Sequence, residues 1–260
     1  MKGMERSKSE DGKLDARAAL AERKKNRGLL SSIALRMGER VGVIEQTRLA
    51  PEFDDQITHY FEYQSTEDDL IGQLEEVLQS NAAVRVNGGI ESPQNEDPFD
   101  VLANALRNFR HSAPAEQTRL KCVEAIVRRL ALDHRTYQRK GRRTLNKSRV
   151  FVAKDYNYMT GVNKQLMVAR DIMDSARHEL KATRTRAEVE EKGRIYEQSV
   201  HEFDEQAGQL AAGFERLPRD KEIHQRELFD WFEVQARYHA QARLLIASQL
   251  KQIGILLPEA

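Results

Sequence analysis

A single cysteine, Cys122, stands in a chain of 260 residues, so no intramolecular disulfide can form and a cysteine-based zinc site lacks its partners. Only six prolines occur, and none lies between Pro114 and Pro218, which leaves that stretch free to hold long helix. Glycine-rich phosphate loops, nucleophile elbows and apolar strands are missing, so the common nucleotide-binding and hydrolase motifs are excluded. No run of about 18 apolar residues exists, so no segment is expected to span a bilayer. The opening residues MKGMERSKSEDGKLD hold no apolar stretch of the kind a secretion signal needs. The seven histidines are scattered, and pairs such as His201 with Asp204 or Glu205 lack a third ligand. These absences predict a cytoplasmic protein that is not an enzyme and that carries no cofactor or metal.

One absence is local. Between His134 and Lys154 there is no Asp or Glu, yet the segment holds eight basic residues: Arg135, Arg139, Lys140, Arg142, Arg143, Lys147, Arg149 and Lys154. The whole chain is balanced, with 42 basic and 41 acidic residues, so this block is not background composition. Concentrated positive charge on a rigid support attracts a polyanion: a phospholipid surface, a nucleic acid or an acidic protein. Single-strand nucleic acid binding interleaves aromatics for base stacking. Only Tyr137 and Phe151 lie near, and no nucleic-acid-binding motif is present, so no nucleic acid is expected.

What the chain does have is helical periodicity. Charged residues make up 32% and hydrophobic ones 40%, a mixture that favours long helices and coiled coils. Residues 1–28 read as a polar, basic, disordered leader. In 29–44 an apolar face built on Leu30, Ile33 and Met37 predicts a basic amphipathic helix, suited either to a membrane interface or to packing on the protein. A first helix is expected over 48–110, interrupted at 84–98 by Gly88, Gly89, Pro93 and Pro98. A second is expected over 114–182. There Leu120, Val123, Val127, Leu130, His134, Tyr137 and Gly141 form a heptad seam that slips by one residue before Leu145, Ser148 and Val152. Thr185 and Glu188 form a capping box for a third helix over 185–253, which Pro218 should kink. A second helix of about 100 Å cannot bury its seam in a compact monomer, so the bundle should be elongated and dimeric.

Relative to the seam the basic block forms two stripes. Arg135, Arg139, Arg142 and Arg149 lie on one flank, and Lys140, Arg143 and Lys147 on the other. Salt bridges to acids of the third helix (Glu188, Glu190, Glu191, Glu202, Asp204, Glu205) would make the block a merely solvated face. Which stripe meets a partner is open at this level.

Several runs then point to a family. DIMDSARHELK (171–181) is similar to the end of the second helix of BAR domains, and TRTRAEVEEKGRIYEQSVHEFDEQ (183–206) to their tip turn and third helix. LFDWFEVQARYHAQA (228–242), ERVGVIEQTRLAPEFD (39–54) and EVLQSNAAVRV (76–86) resemble endophilins of the B type. The chain thus resembles an endophilin-like N-BAR protein over about residues 30–255, and an SH3 domain after residue 253 is not expected. The resemblance implies an all-α, kinked, three-helix antiparallel coiled-coil bundle over 45–255 that forms a crescent-shaped homodimer, preceded by the amphipathic helix. It implies a peripheral protein of membrane trafficking that senses or induces curvature of anionic membranes. It assigns Arg139, Lys140, Arg142, Arg143, Lys147, Arg149 and Lys154 to a concave face and Lys181, Arg184 and Arg186 to the tip. Leu30, Ile33 and Met37 become inserting residues. The alternative is a helical dimeric scaffold for a protein partner such as a small GTPase.

Overall fold

The computed structural model describes residues 45–254, and every regular element among them is helical. The helices are α1 (Pro51–Leu78), α2 (Ala82–Val86), α3 (Pro98–Ser112), α4 (Gln117–Thr144), α5 (Asn146–Val150), α6 (Tyr156–Lys181) and α7 (Arg186–Gln252). A 3-10 turn (Pro114–Glu116) precedes α4, and a π-helical turn (Phe151–Asp155) joins α5 to α6. The expected disordered leader and amphipathic helix fall outside the described residues.

The first predicted helix is revised. α1 ends at Leu78, well before residue 84, and α3 is a separate helix that returns antiparallel along α4. Its start is encoded locally: Asp97 accepts the Phe99 amide at 2.9 Å as N-cap, and Pro98 occupies the first helical turn, where its missing N–H costs nothing. Three arginines, Arg107, Arg110 and Arg128, converge on the buried Glu124 at 3.0 Å each. Burial pushes that carboxyl up, but the Arg107 and Arg128 hydrogen bonds and the Arg107 and Arg110 charges outweigh it and hold it below its ordinary range.

The second predicted helix is also interrupted, where the seam slips. Leu145 leaves helical geometry (φ −89°, ψ 18°), and the π turn inserts its extra residue a few positions later. Leu145 and Phe151 thereby both reach the interior, each 2% exposed, whereas Val152, predicted in the seam, stays half-buried. The break frees backbone amides, and Glu227 of α7 satisfies them. Its carboxylate accepts from the Lys147 amide at 2.8 Å and the Ser148 amide at 2.9 Å, an N-cap supplied by another helix.

α7 opens with the predicted reciprocal capping box. The Glu188 amide donates to Thr185 Oγ1 at 3.3 Å, and the Thr185 amide donates to Glu188 Oε2 at 3.4 Å. The helix runs through Pro218, whose nitrogen has no hydrogen to give the carbonyl one turn back.

The chain forms two compact units. The first joins residues 45–62 with 154–218. Its core is built by Ile57, Tyr60, Met159, Val162, Leu166, Ala169, Met173, Leu210 and Phe214. Gly213 lets α7 approach Met159, whose Cε would lie 2.3 Å from an added Cβ. Asp174, fully buried, ties down the segment ahead of α1: Oδ2 accepts the Thr47 amide at 2.8 Å and Oδ1 the Thr47 hydroxyl at 2.5 Å. The second unit joins 63–153 with 219–254. Its core contains Leu74, Leu78, Ile90, Tyr137, Leu145 and Trp231, and Leu78 leaves no room for a side chain at Gly141.

The loop across 87–97, expected only as an interruption, is fastened to α4. The Ser92 amide donates to Gln138 Oε1 at 2.9 Å, Gln79 Nε2 donates to the Ser92 hydroxyl at 3.0 Å, and Arg135 Nε donates to the Ser92 carbonyl at 3.1 Å. His134 Nδ1 lies 2.6 Å from Asp97 Oδ2. Backbone amides that a loop would otherwise leave dry are thus paired.

Candidate functional site

The α4–α5 rod in the second unit separates the basic block into two chemically different halves. On one flank each arginine meets an acid. Arg135 pairs with Asp100, Arg139 with Glu91 at 3.5 Å, and Arg142 and Arg149 share Glu75 at 3.2 and 2.8 Å. Arg142 also donates to the Gly88 carbonyl at 2.6 Å. The spacing of 135, 139, 142 and 149 puts all four on one helical face, and that face looks toward α1, the loop and α3. Glu75 and Asp100 lie largely inside; the Arg139–Glu91 pair is more open and correspondingly weaker.

The other flank behaves differently. Lys140, Arg143 and Lys147 are exposed and form no side-chain ion pair among the described residues. Their spacing of three and four also makes one face, roughly a third of a turn round the helix from the paired arginines. Their charge is offset by no acid of the described chain, so it is displayed to solvent. Lys154, which belongs to the first unit, is likewise exposed and has no ion-pair partner among the described residues.

The structure thus corrects one expectation. The acids that neutralise half of the block come from α1, α3 and the connecting loop, not from the start of α7. Glu75, Glu91 and Asp100 carried no sequence signal for this role, because nothing local relates them to arginines in a different helix.

The predicted tip residues lie in the first unit. Lys181 reaches Glu45 at 3.5 Å while 66% of its side chain stays exposed, and Arg186 is 95% exposed with Glu190 at 3.4 Å. Arg184 is exposed just ahead of the capping box. Pairs this open contribute little to stability, and these cations stay accessible. Leu30, Ile33 and Met37 lie outside the described residues. No helix of the described residues is long and apolar enough to cross a membrane.

The second unit also carries apolar surface. Phe229 and Phe232 of α7 are 70% and 56% exposed, and Phe109 of α3 is 59% exposed. Val101 and Leu102 share the open side of α3, and Leu244 that of α7.

Comparison with known proteins agrees with this construction. The chain is 25% identical over 229 residues to Endophilin-B1 of Bos taurus, an alignment covering 83% of this chain and 62% of that protein. The chain therefore spans under two thirds of the length of that relative. The family model of the BAR domain matches residues 30–253, nearly the whole chain. With its helical bundle and endophilin-like segments, this chain belongs to the BAR domain family.

Proposed function

We propose that a homodimer of this chain lies on anionic membranes with Lys140, Arg143 and Lys147 as its lipid-facing row. Family membership implies dimerisation and the sensing or induction of membrane curvature; the lipid charge, the row and a role in trafficking are the further steps. The observation that carries the reading is the division of the basic block, since only the unpaired flank keeps its charge for an outside partner. Lys154 of the first unit is a further lipid-facing cation in this reading, and Lys181, Arg184 and Arg186 supply the tip contact. The segment 29–44, through Leu30, Ile33 and Met37, enters the headgroup layer.

The magnitude is adequate. Each basic residue near an anionic bilayer contributes about 1 kcal/mol, so the three of the row, doubled in a dimer, supply about 6 kcal/mol. The test is co-sedimentation with phosphatidylserine vesicles. The protein should pellet at low salt and be released as salt shortens the screening length; no pelleting at low salt would end this reading.

The second copy packs, in this reading, on the open side of α7 that carries Phe229 and Phe232. Two exposed phenylalanines three residues apart on one helix are costly for a free monomer and suit an interface between copies. Phe229→Glu with Phe232→Glu should convert the dimer to monomer in sedimentation velocity at micromolar concentration. A dimer of unchanged mass would place the interface elsewhere.

A further inference from the structure

Among the serines and threonines of the described residues, Thr185 alone is exposed, outside regular helix and flanked on both sides by arginine, Arg184 and Arg186. It lies in the first unit, at the end of the connection 182–185 between α6 and α7. Other hydroxyls near the cationic stretches are held differently. Thr136 and Thr144 belong to α4, where they donate to the Leu132 and Gly141 carbonyls at 3.0 and 2.7 Å, and Ser148 is buried. Thr183 is half-buried and donates to the Leu180 carbonyl at 2.7 Å.

Phosphoryl transfer needs the acceptor oxygen in line with the leaving group, a position that a hydroxyl lying along a helix reaches only if the helix unwinds. At 182–185 no unwinding is needed. Lys181, Arg184 and Arg186 are all exposed around the hydroxyl, and Arg184 has no acid partner among the described residues. We propose that Thr185 is the phosphoacceptor of a protein kinase that reads these basic residues, and that the phosphate switches off the cationic tip. In the step, the bond from Thr185 Oγ1 to the γ-phosphorus of ATP forms. The bond from that phosphorus to the bridging oxygen breaks, ADP leaves with the electron pair, and the hydroxyl proton passes to a base of the kinase.

The start of α7 tolerates the modification. Thr185 Oγ1 accepts the Glu188 amide at 3.3 Å as N-cap, and a phosphate oxygen accepts there too, favoured by the helix dipole. Glu188 gives way instead. Its Oε2 accepts the Arg184 and Thr185 amides at 3.4 Å each. The Arg184 amide, then the Thr185 hydroxyl and amide, hold its carboxyl below the ordinary range, so it is ionised and the phosphate repels it. What changes is the field: roughly 1.5 to 2 negative charges at pH 7 arrive beside Lys181, Arg184 and Arg186. This deepens the membrane reading above and rests on it for the consequence, though not for the modification itself.

The test incubates the full chain with ATP and two kinases that favour basic surroundings, protein kinase A and protein kinase C, and maps the phosphate by mass spectrometry. Labelled and unlabelled protein are then compared by co-sedimentation with phosphatidylserine vesicles. Phosphate is expected on Thr185. Thr185→Ala should lose it, while Thr185→Ser, which keeps both cap and acceptor, should retain it. Arg184→Gln with Arg186→Gln should slow labelling about tenfold, the loss of charge-assisted contacts to the kinase. Vesicle affinity of the labelled protein should fall about thirtyfold per protomer, as about two tip charges are cancelled, with the circular dichroism spectrum unchanged. No phosphate on Thr185 from either kinase overturns the proposal, as does labelled protein whose affinity changes by less than about twofold. Failure of the unlabelled chain to pellet would remove the membrane reading and the switch with it, and the mapped site would still decide whether Thr185 is the acceptor.

Discussion

Reversing charge at Arg143 and Lys147 together should abolish vesicle binding while leaving the fold intact. Each substitution by Glu changes the row by two charges, so the pair changes it by four. At about 1 kcal/mol per charge near an anionic surface, the loss is about 4 kcal/mol per protomer, on the order of a thousandfold in affinity. Stability should hardly move, because both side chains are exposed and neither has an acid partner among the described residues. The informative contrast is Arg142→Gln with Arg149→Gln. Those two share Glu75, so their field is already partly cancelled, and their removal should weaken vesicle binding less than about tenfold. It should instead lower the unfolding transition, since Glu75, only 20% exposed, would lose both of its cations. Co-sedimentation and thermal denaturation on the same preparations separate the two outcomes. Intact binding in the reversed variant would remove the row from the lipid face; equal loss per charge in both variants would make the division of the block irrelevant.

Asp97→Ala should be among the most destabilising single substitutions in the chain. The side chain is fully buried. It caps α3 through Phe99 and holds His134 at 2.6 Å, so its loss removes an N-cap and leaves a half-buried imidazole nitrogen without its partner. Together these cost about 3 kcal/mol, which in a domain of this size lowers Tm by about 6 to 12 °C. Asp97→Asn keeps an acceptor for the Phe99 amide and should lose roughly a third as much. Protein concentration must be matched between samples, since a dimer's stability depends on it. A Tm within about 2 °C of the parent for the alanine variant would show that the loop is not held through this residue.

Acid should have the same effect by another route. Burial alone would raise the Asp97 carboxyl, but the hydrogen bonds from His134, the Phe99 amide and Ser92, with the His134 charge, outweigh it and hold it below its ordinary range. The folded state therefore binds this proton less readily than the unfolded chain does. The stabilisation is complete above the unfolded carboxylate range, near pH 4, and is lost as pH falls through the depressed native value. In Asp97→Asn that part of the acid sensitivity should vanish.

Much of the fold was legible in sequence because helical order is local. A heptad seam, a capping box at Thr185 and Glu188, and a long stretch without proline each act within a few residues. Even the break at Leu145 announced itself as a one-residue slip. The path of α3 was not legible: glycine and proline mark a loop but do not say where the chain goes next. Its return along α4 depends on Glu124, Asp97 and Asp100 meeting partners in another helix. The hydrogen bonds that fasten the 87–97 loop were hidden for the same reason.

By itself, the sequence determined that the chain is helical, that its kinship is with BAR domains, and that an acid-free basic block rides the second helix. Only the tertiary structure decided which half of that block is spent. Glu75, Glu91 and Asp100 reach one flank through space and cancel its charge. Lys140, Arg143 and Lys147 face away from them. Coulomb energy depends on distance between side chains rather than along the chain, so a pattern of charges in sequence specifies a candidate surface but not its net field.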